Sequence, residues 1–160
     1  METLESAVEE FRGILAGVPA QLSSFTDAHA GAPTAPEARS PKDRSPKEWS
    51  RKQILGHLLD SAANNHHRFV RAQIEGGVVM PGYAQEQWVA IQDYEMLPWG
   101  DLVAFWSAYN RHLLHLIEAI PGPNRKNPCR IGDHDPVTLE FLAIDYVRHL
   151  KHHLNKVLSR

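Results

Sequence analysis

The chain has 160 residues, a formal net charge of −2 with its 10 histidines counted as neutral, and 1 cysteine. Such a length can bury one hydrophobic core, so we expect a single domain over residues 1–160, and the slightly negative charge argues against a nucleic-acid partner. One cysteine cannot form an internal disulfide, and neither a leader peptide nor a long apolar run stands out, so we expect a cytoplasmic protein without a membrane partner.

Two helices joined by a long loop are predicted in the N-terminal half. Apolar residues at spacings of three and four predict a first helix that ends near Pro19. The segment 19–48 is rich in proline and shows no periodicity, so we interpret it as a long loop. A second helix begins at Ser50, which can form a capping box with Gln53, and ends at Gly76.

Two further helices are predicted in the C-terminal half. The segment 76–100 is interpreted as a loop with one short helix, and a third long helix follows, capped by Asp101. A fourth helix begins where either Asp135 or Thr138 can act as the N-cap. Four amphipathic helices without a convincing strand predict an all-α four-helix bundle, and the long first loop leaves its topology open.

Three histidines occur close together in the fourth helix, in "DYVRHLKHHLNKVL". At the pitch of an α-helix, His149 and His153 fall at the inner edge of the apolar stripe, whereas His152 falls among charged residues. Two histidines four positions apart on one helix face can bind a single metal ion. The same spacing also arises by chance, and a core histidine is often just hydrogen-bonded, so both interpretations stay open.

A polar line follows one side of the second helix, beside its apolar stripe. It contains His57, Ser61, Asn64 and Arg68. Such a line is either a solvated flank or the lining of an internal polar cleft. Because the fourth helix offers an inward pair at the same edge position, the second interpretation predicts a metal site with three neutral imidazoles and open positions for water or substrate.

Three segments together resemble the DinB-like superfamily, and within it the YfiT-like metal-dependent hydrolase group. They are "WSRKQILGHLLDSAANNHHRFVRA", "PGYAQEQWV" and "HLKHHL", and they occur in the same order as in that superfamily. The resemblance covers most of the chain from about Trp49 onward. It implies a four-helix bundle with up-down-down-up topology.

The resemblance also implies a divalent metal held by three histidines, which correspond here to His57, His149 and His153. Zinc or nickel is expected ahead of iron or manganese, although imidazole ligands suit several of these ions. Dimers are common in the superfamily, so a homodimer is expected by analogy. Its members include S-transferases that use a low-molecular-weight thiol as cosubstrate.

Two classes of function follow from these expectations. As an enzyme, the protein would act on a small-molecule substrate as a thiol S-transferase or, alternatively, as a metal-dependent hydrolase of a small ester or amide. Its candidate substrate-binding residues are Ser61, Asn64, Arg68, Tyr83 and Trp88. As a non-enzymatic protein, it would be a metal-stabilised binding or stress-response module.

Overall fold

A computed structural model describes residues 2–33 and 40–159. Its helices are α1 (Leu4–Ser23), α2 (Asp27–Gly31), α3 (Arg51–Glu75), α4 (Gln85–Gln92), α5 (Trp99–Glu118) and α6 (Leu139–Leu158). Its strands are β1 (Val78–Met80), β2 (Pro128–Ile131) and β3 (Val137–Thr138), and 3-10 turns lie at Pro41–Asp43, Tyr94–Met96 and Gly122–Lys126. None of the helices in these described ranges is both long and apolar enough to cross a membrane.

The four long helices α1, α3, α5 and α6 form the predicted four-helix bundle. Each of α1 and α3 packs against both α5 and α6, so α1 lies diagonally across the bundle from α3. Buried apolar side chains from all four helices meet in one core, which includes Phe11, Leu55, Leu113 and Leu150. Burial of these side chains is the main favourable term for the fold.

The direction of α1 relative to its neighbours follows from contacts at the helix ends. Arg125 forms ion pairs with Glu5 at 2.6 Å and with Glu140 at 3.8 Å, so the starts of α1 and α6 meet and the two helices are parallel. Trp99 at the start of α5 donates from Nε1 to the carbonyl oxygen of Leu22 near the end of α1 at 2.7 Å. Helix α5 is therefore antiparallel to α1.

Helix α3 is antiparallel to α6. At the start of α3, Arg51 donates from Nε to the carbonyl oxygen of Val157, near the end of α6, at 3.0 Å. The four bundle helices consequently run up, down, down and up in chain order, as the resemblance implies.

The first helix is longer than predicted, because α1 continues through Pro19 to Ser23. Proline removes one backbone donor and usually ends a helix, but here the last turn buries Val18 and Leu22 against the rest of the bundle. Packing of these side chains and the Trp99 hydrogen bond outweigh the local cost of the proline. The predicted loop over 19–48 thus contains the end of α1, helix α2 and the first 3-10 turn, while its residues 34–39 lie outside the described ranges.

Helix starts were predicted with mixed success. The capping box of α3 is present, since Ser50 Oγ accepts from the Gln53 backbone N–H and Gln53 Oε1 accepts from the Ser50 N–H at 3.1 Å. Helix α5 begins at Trp99, before Asp101, so the acidic residue lies in the first turn and does not cap the helix. At α6, Thr138 accepts from the Phe141 N–H at 3.1 Å and is the cap.

A small three-stranded sheet was not predicted from the sequence. Strand β1 pairs in parallel with β2, and β2 pairs antiparallel with β3. The strands contain only two to four residues each, too few to show the alternation that identifies a strand. Within the predicted loop over 76–100, Gly76 ends α3 with a positive φ of 71°, and β1 begins two residues later.

Candidate metal centre

His57 occupies the second turn of α3, which the capping box at Ser50 holds in place. Its side chain is fully buried, at 0% exposure, and its ring lies against the indole of Trp49 with centroids 5.3 Å apart. Of the two interpretations of the polar line on the second helix, a solvated flank or an internal cleft, His57 fits the second. His57 points into the bundle.

The structure brings His57 together with the two inward histidines of α6. The ring centroids of His149 and His153 are 4.5 Å apart, and they lie 5.2 and 4.7 Å from that of His57. One ligating nitrogen of each ring lies within 4.8 Å of those of the other two. His152 is exposed, as predicted, and contributes no nitrogen to this cluster.

The electrostatic environment keeps the three rings neutral at pH 7. Burial, with the neighbouring His149 and Lys156, lowers the pKa of His57 to about 3. Burial and the other two rings lower the pKa of His153 to about 3, and burial also lowers the pKa of His149. A neutral imidazole has a free lone pair, which is the form that binds a metal.

The three residues fit a divalent metal ion. The Nε2 atoms of His57 and His149 are 3.3 Å apart, and two nitrogens that each lie about 2.1 Å from one tetrahedral ion are about 3.4 Å apart. The Nδ1 atoms of His57 and His153 have no hydrogen-bond partner among the described residues. These two nitrogens are therefore not tied to another side chain of the described structure.

A cleft of about 610 Å³ opens beside the cluster. His149 is the member of the cluster that lines it. Its remaining walls come from α3, α6, the small sheet with the turn between β2 and β3, and the loop that leads from β1 into α4. The lining residues are Ser61, Asn65, Arg68, Gly82, Tyr83, Gln85, Cys129, Ile131, Gly132, His134, Asp135, Val137, Phe141, Leu142, Asp145 and Tyr146. This volume is in the range of sites that bind small molecules.

Three of the five candidate substrate residues line this cleft, namely Ser61, Arg68 and Tyr83. Asn64 does not line it, because its side chain donates to the carbonyl oxygen of Asp60 on its own helix at 2.9 Å. Trp88 does not line it either. Its ring packs against Tyr83 with centroids 5.2 Å apart and remains 38% exposed, so it supports the cleft wall from outside.

Asn65 takes the place that was predicted for Asn64. Residues at spacings of four follow one face of a helix most closely, and His57, Ser61 and Asn65 form such a series. The Asn65 side chain is buried and donates to the Ser61 carbonyl oxygen at 2.9 Å. Counting in fours from His57 would have identified Asn65 from the sequence.

Asp60 is a buried carboxyl group that the sequence did not reveal. Its Oδ1 accepts from the hydroxyl of Tyr94 at 2.6 Å and from Gln92 Nε2 at 2.5 Å, whereas Oδ2 has no partner in the described structure. Burial raises the pKa of this group despite the two hydrogen bonds. Both donors lie more than 30 positions away in the chain, so no local pattern indicates the contact.

The fold and the site together define a class of protein, a four-helix bundle with a three-histidine candidate metal centre beside a cleft. No family model matches the chain. A curated protein of Halalkalibacterium halodurans, named "Putative metal-dependent hydrolase BH0277", is 23% identical over 126 residues, which are 79% of this chain and 73% of that protein.

A solved structure is similar over nearly the whole chain. YfiT from Bacillus subtilis, described as a probable metal-dependent hydrolase with an unusual four-helix bundle topology, aligns with a TM-score of 0.75 at 21% identity. The alignment covers 99% of this chain and 87% of that structure. The YfiT-like fold implied by the sequence resemblance is confirmed.

Proposed function

We propose that this protein is a metal-dependent enzyme of the thiol S-transferase type, in which His57, His149 and His153 hold a divalent ion. The observation that carries the proposal is the convergence of three neutral imidazoles beside a cleft of about 610 Å³, which one of them, His149, lines. When bound, the ion would lower the pKa of a coordinated thiol or water, so that a nucleophile exists at neutral pH.

The hydroxyl and the thiol of the cleft are not activated as nucleophiles. Ser61 Oγ is contacted by Asn65 Nδ2 at 3.4 Å, and no histidine of the described residues hydrogen-bonds to it as a base. Cys129 is buried, and burial raises the pKa of its thiol, which disfavours the reactive thiolate. This favours a nucleophile from solution, either a thiol or water.

A thiol comes first because the sequence resemblance includes thiol S-transferases, and two features of the site are compatible with it. Three neutral ligands leave the charge of a divalent ion uncompensated, which favours an anion, either thiolate or hydroxide, as a further ligand. The cleft is also large enough for a thiol together with a small electrophile. Cleft residues such as Leu142 and Ile131 provide apolar wall for the electrophile.

A conjugation assay tests this proposal. Metal-loaded protein should accelerate the reaction of a low-molecular-weight bacterial thiol with monochlorobimane, and the His149→Ala variant should not. His152→Ala, which changes an exposed histidine of the same helix, is the matched control and should react like the wild type. Equal rates for the wild type and His149→Ala would contradict the proposal.

Hydrolysis is the second candidate, because one similar protein is named a "putative metal-dependent hydrolase" and the other is described as a "probable metal-dependent hydrolase". It predicts metal-dependent turnover of a panel of esters and amides without added thiol. A third outcome, in which metal stabilises the protein but neither assay shows turnover, would instead support the non-enzymatic binding module.

A further inference from the structure

Arg68 is a buried cation of the cleft that forms no ion pair with an acidic side chain of the described residues. Its side chain is 8% exposed, Nη1 donates to Asn65 Oδ1 at 3.3 Å, and Nε has no hydrogen-bond partner within residues 2–33 and 40–159. Two other buried cations are paired, since Arg44 contacts Glu95 at 2.9 Å and Lys52 contacts Asp27 at 3.0 Å. A buried charge is costly unless it is paired, so the lack of a carboxylate at Arg68 needs an explanation.

The surroundings of Arg68 suit a bound anion. Asn65 fixes the guanidinium through its side-chain oxygen, and Asn65 is itself held by its bond to the Ser61 carbonyl. Tyr83 lines the same cleft, and burial raises the pKa of its hydroxyl to about 12, so this group stays neutral and able to donate. A planar guanidinium and a hydroxyl donor match the two oxygens of a carboxylate.

We propose that Arg68, held by Asn65 and assisted by Tyr83, forms a subsite for the carboxylate of a small organic acid whose reacting group lies at the His149 end of the cleft. The position of the reacting group rests on the proposed function, whereas the carboxylate subsite does not. This inference deepens that proposal by naming the chemical class of the substrate.

A monoanion fits the cleft better than a phosphate. Only one guanidinium is available from the described lining, and the acidic residues Asp135 and Asp145 line the same space. These two carboxylates repel a dianion more strongly than a monoanion. The charge pattern therefore favours a carboxylate.

The distance between Arg68 and the histidine cluster sets the length of the ligand. Because Arg68 reaches back to Asn65, the guanidinium lies near the level of Asn65, about 12 Å along α3 from His57 at 1.5 Å per residue. Apolar residues of the cleft, including Ile131, Val137 and Leu142, line the space beside this helix. The expected ligand is an aryl or alkyl carboxylate of about 10 Å in length.

Calorimetry with a matched acid and amide tests the subsite. Wild-type protein as purified should bind 4-phenylbutyrate at least tenfold more tightly than 4-phenylbutanamide. The Arg68→Gln variant should lose this preference. Arg71→Gln should keep it, because Arg71 is exposed and already paired with Glu75 at 2.7 Å on the outside of the same helix. Equal binding of acid and amide by the wild type would overturn the proposal.

Further arms separate the alternatives. Inorganic phosphate at millimolar concentration should not displace the acid. If it does, the subsite binds phosphate, and the assignment to a carboxylate is wrong. If Arg68→Gln does not fold, NMR of the wild type replaces it. The chemical shift of the Arg68 Nε–H should change when the acid is added and not when the amide is added, and an unchanged shift with the acid would overturn the subsite.

The His149→Ala variant distinguishes this inference from the proposed function. It should lose metal and turnover but keep the preference for acid over amide, because Arg68 lies on α3 and is separate from the histidine cluster. If the preference disappears together with the metal, the acid binds the ion and the subsite at Arg68 is wrong. If the metal-loaded wild type shows the preference but turns over neither a thiol conjugate nor an ester or amide, the subsite stands and the enzymatic proposal fails.

Discussion

His57 and His149 are 92 positions apart in the chain, yet their Nε2 atoms lie 3.3 Å from each other. The contact exists because the start of α3 packs antiparallel against the C-terminal half of α6, where Arg51 donates to the Val157 carbonyl oxygen. Two imidazole nitrogens at this distance can share one hydrogen bond or one metal ion. The choice between these two interpretations is the central question about the site.

Metal content should depend on each of the three inward histidines. We expect protein purified without a His tag to contain about one divalent ion per chain. His57→Ala, His149→Ala and His153→Ala should each lose most of it, because each substitution removes one of the three proposed ligands. His152→Ala should retain it. Elemental analysis by mass spectrometry provides the measurement, and a triple variant that keeps its metal would show that the ion binds elsewhere.

Binding of the ion should also stabilise the fold. Metal that binds the folded state alone adds about 2.7 kcal/mol at a free concentration one hundred times Kd, which raises the melting temperature by several degrees for a chain of this size. Differential scanning calorimetry before and after treatment with a chelator measures the shift. The same titration of His153→Ala should show little change, and an equal shift in both proteins would point to binding outside the cluster.

The sequence predicted those parts of the site that depend on local signals. The capping box at Ser50 fixes where α3 begins, and helical spacing then identifies which of the histidines face inward. The sequence analysis selected Asn64 where the structure places Asn65 in the cleft, although Asn65 continues the spacing of four that joins His57 and Ser61.

Other features depend on contacts between distant segments. Helix α1 continues past Pro19 because Leu22 is buried beside Trp99, which donates to its carbonyl oxygen at 2.7 Å. The buried carboxyl of Asp60 depends on Tyr94 from outside the helix. Neither relationship has a periodic signal in the sequence, because each is set by how the elements pack.

Gly56 should tolerate no side chain. A Cβ at this position would lie 2.1 Å from Tyr94 Cδ2, and Tyr94 is buried and bound to Asp60, so it has little freedom to move. We expect Gly56→Ala to lower the free energy of unfolding by about 2 kcal/mol or more. Urea denaturation followed by circular dichroism measures the change.

Gly13 offers the matched comparison within the same type of element. It lies in α1, and a Cβ there would meet nothing within 4 Å. Alanine is a better helix former than glycine, so Gly13→Ala should raise the free energy of unfolding by about 0.5–1 kcal/mol. Opposite signs for the two substitutions would confirm that the close approach of Tyr94, rather than glycine replacement as such, causes the loss at Gly56.

Acid should destabilise the metal-free protein through the same histidines. In the unfolded chain they titrate near the ordinary pKa of 6.5, whereas in the folded protein the pKa of His57 and of His153 is lowered to about 3. Between these values the unfolded state binds protons that the folded state does not, so stability is full above pH 6.5 and falls as the pH decreases. The slope should approach 1.4 kcal/mol per pH unit for each histidine.

Asp60 acts in the opposite direction, since burial raises its pKa and protonation in acid relieves the cost of its charge. Because Asp60 is present in every protein compared, a difference in slope between variants over pH 6.5 to 5 belongs to the substituted histidine. Urea denaturation of chelator-treated protein at several pH values in this interval measures how the free energy of unfolding depends on pH. His153→Gln should reduce the slope by about 1.4 kcal/mol per pH unit, and His152→Gln should leave it unchanged. A slope that is the same in all three proteins would mean that His153 is protonated in the folded state and does not present the neutral ring that metal binding requires.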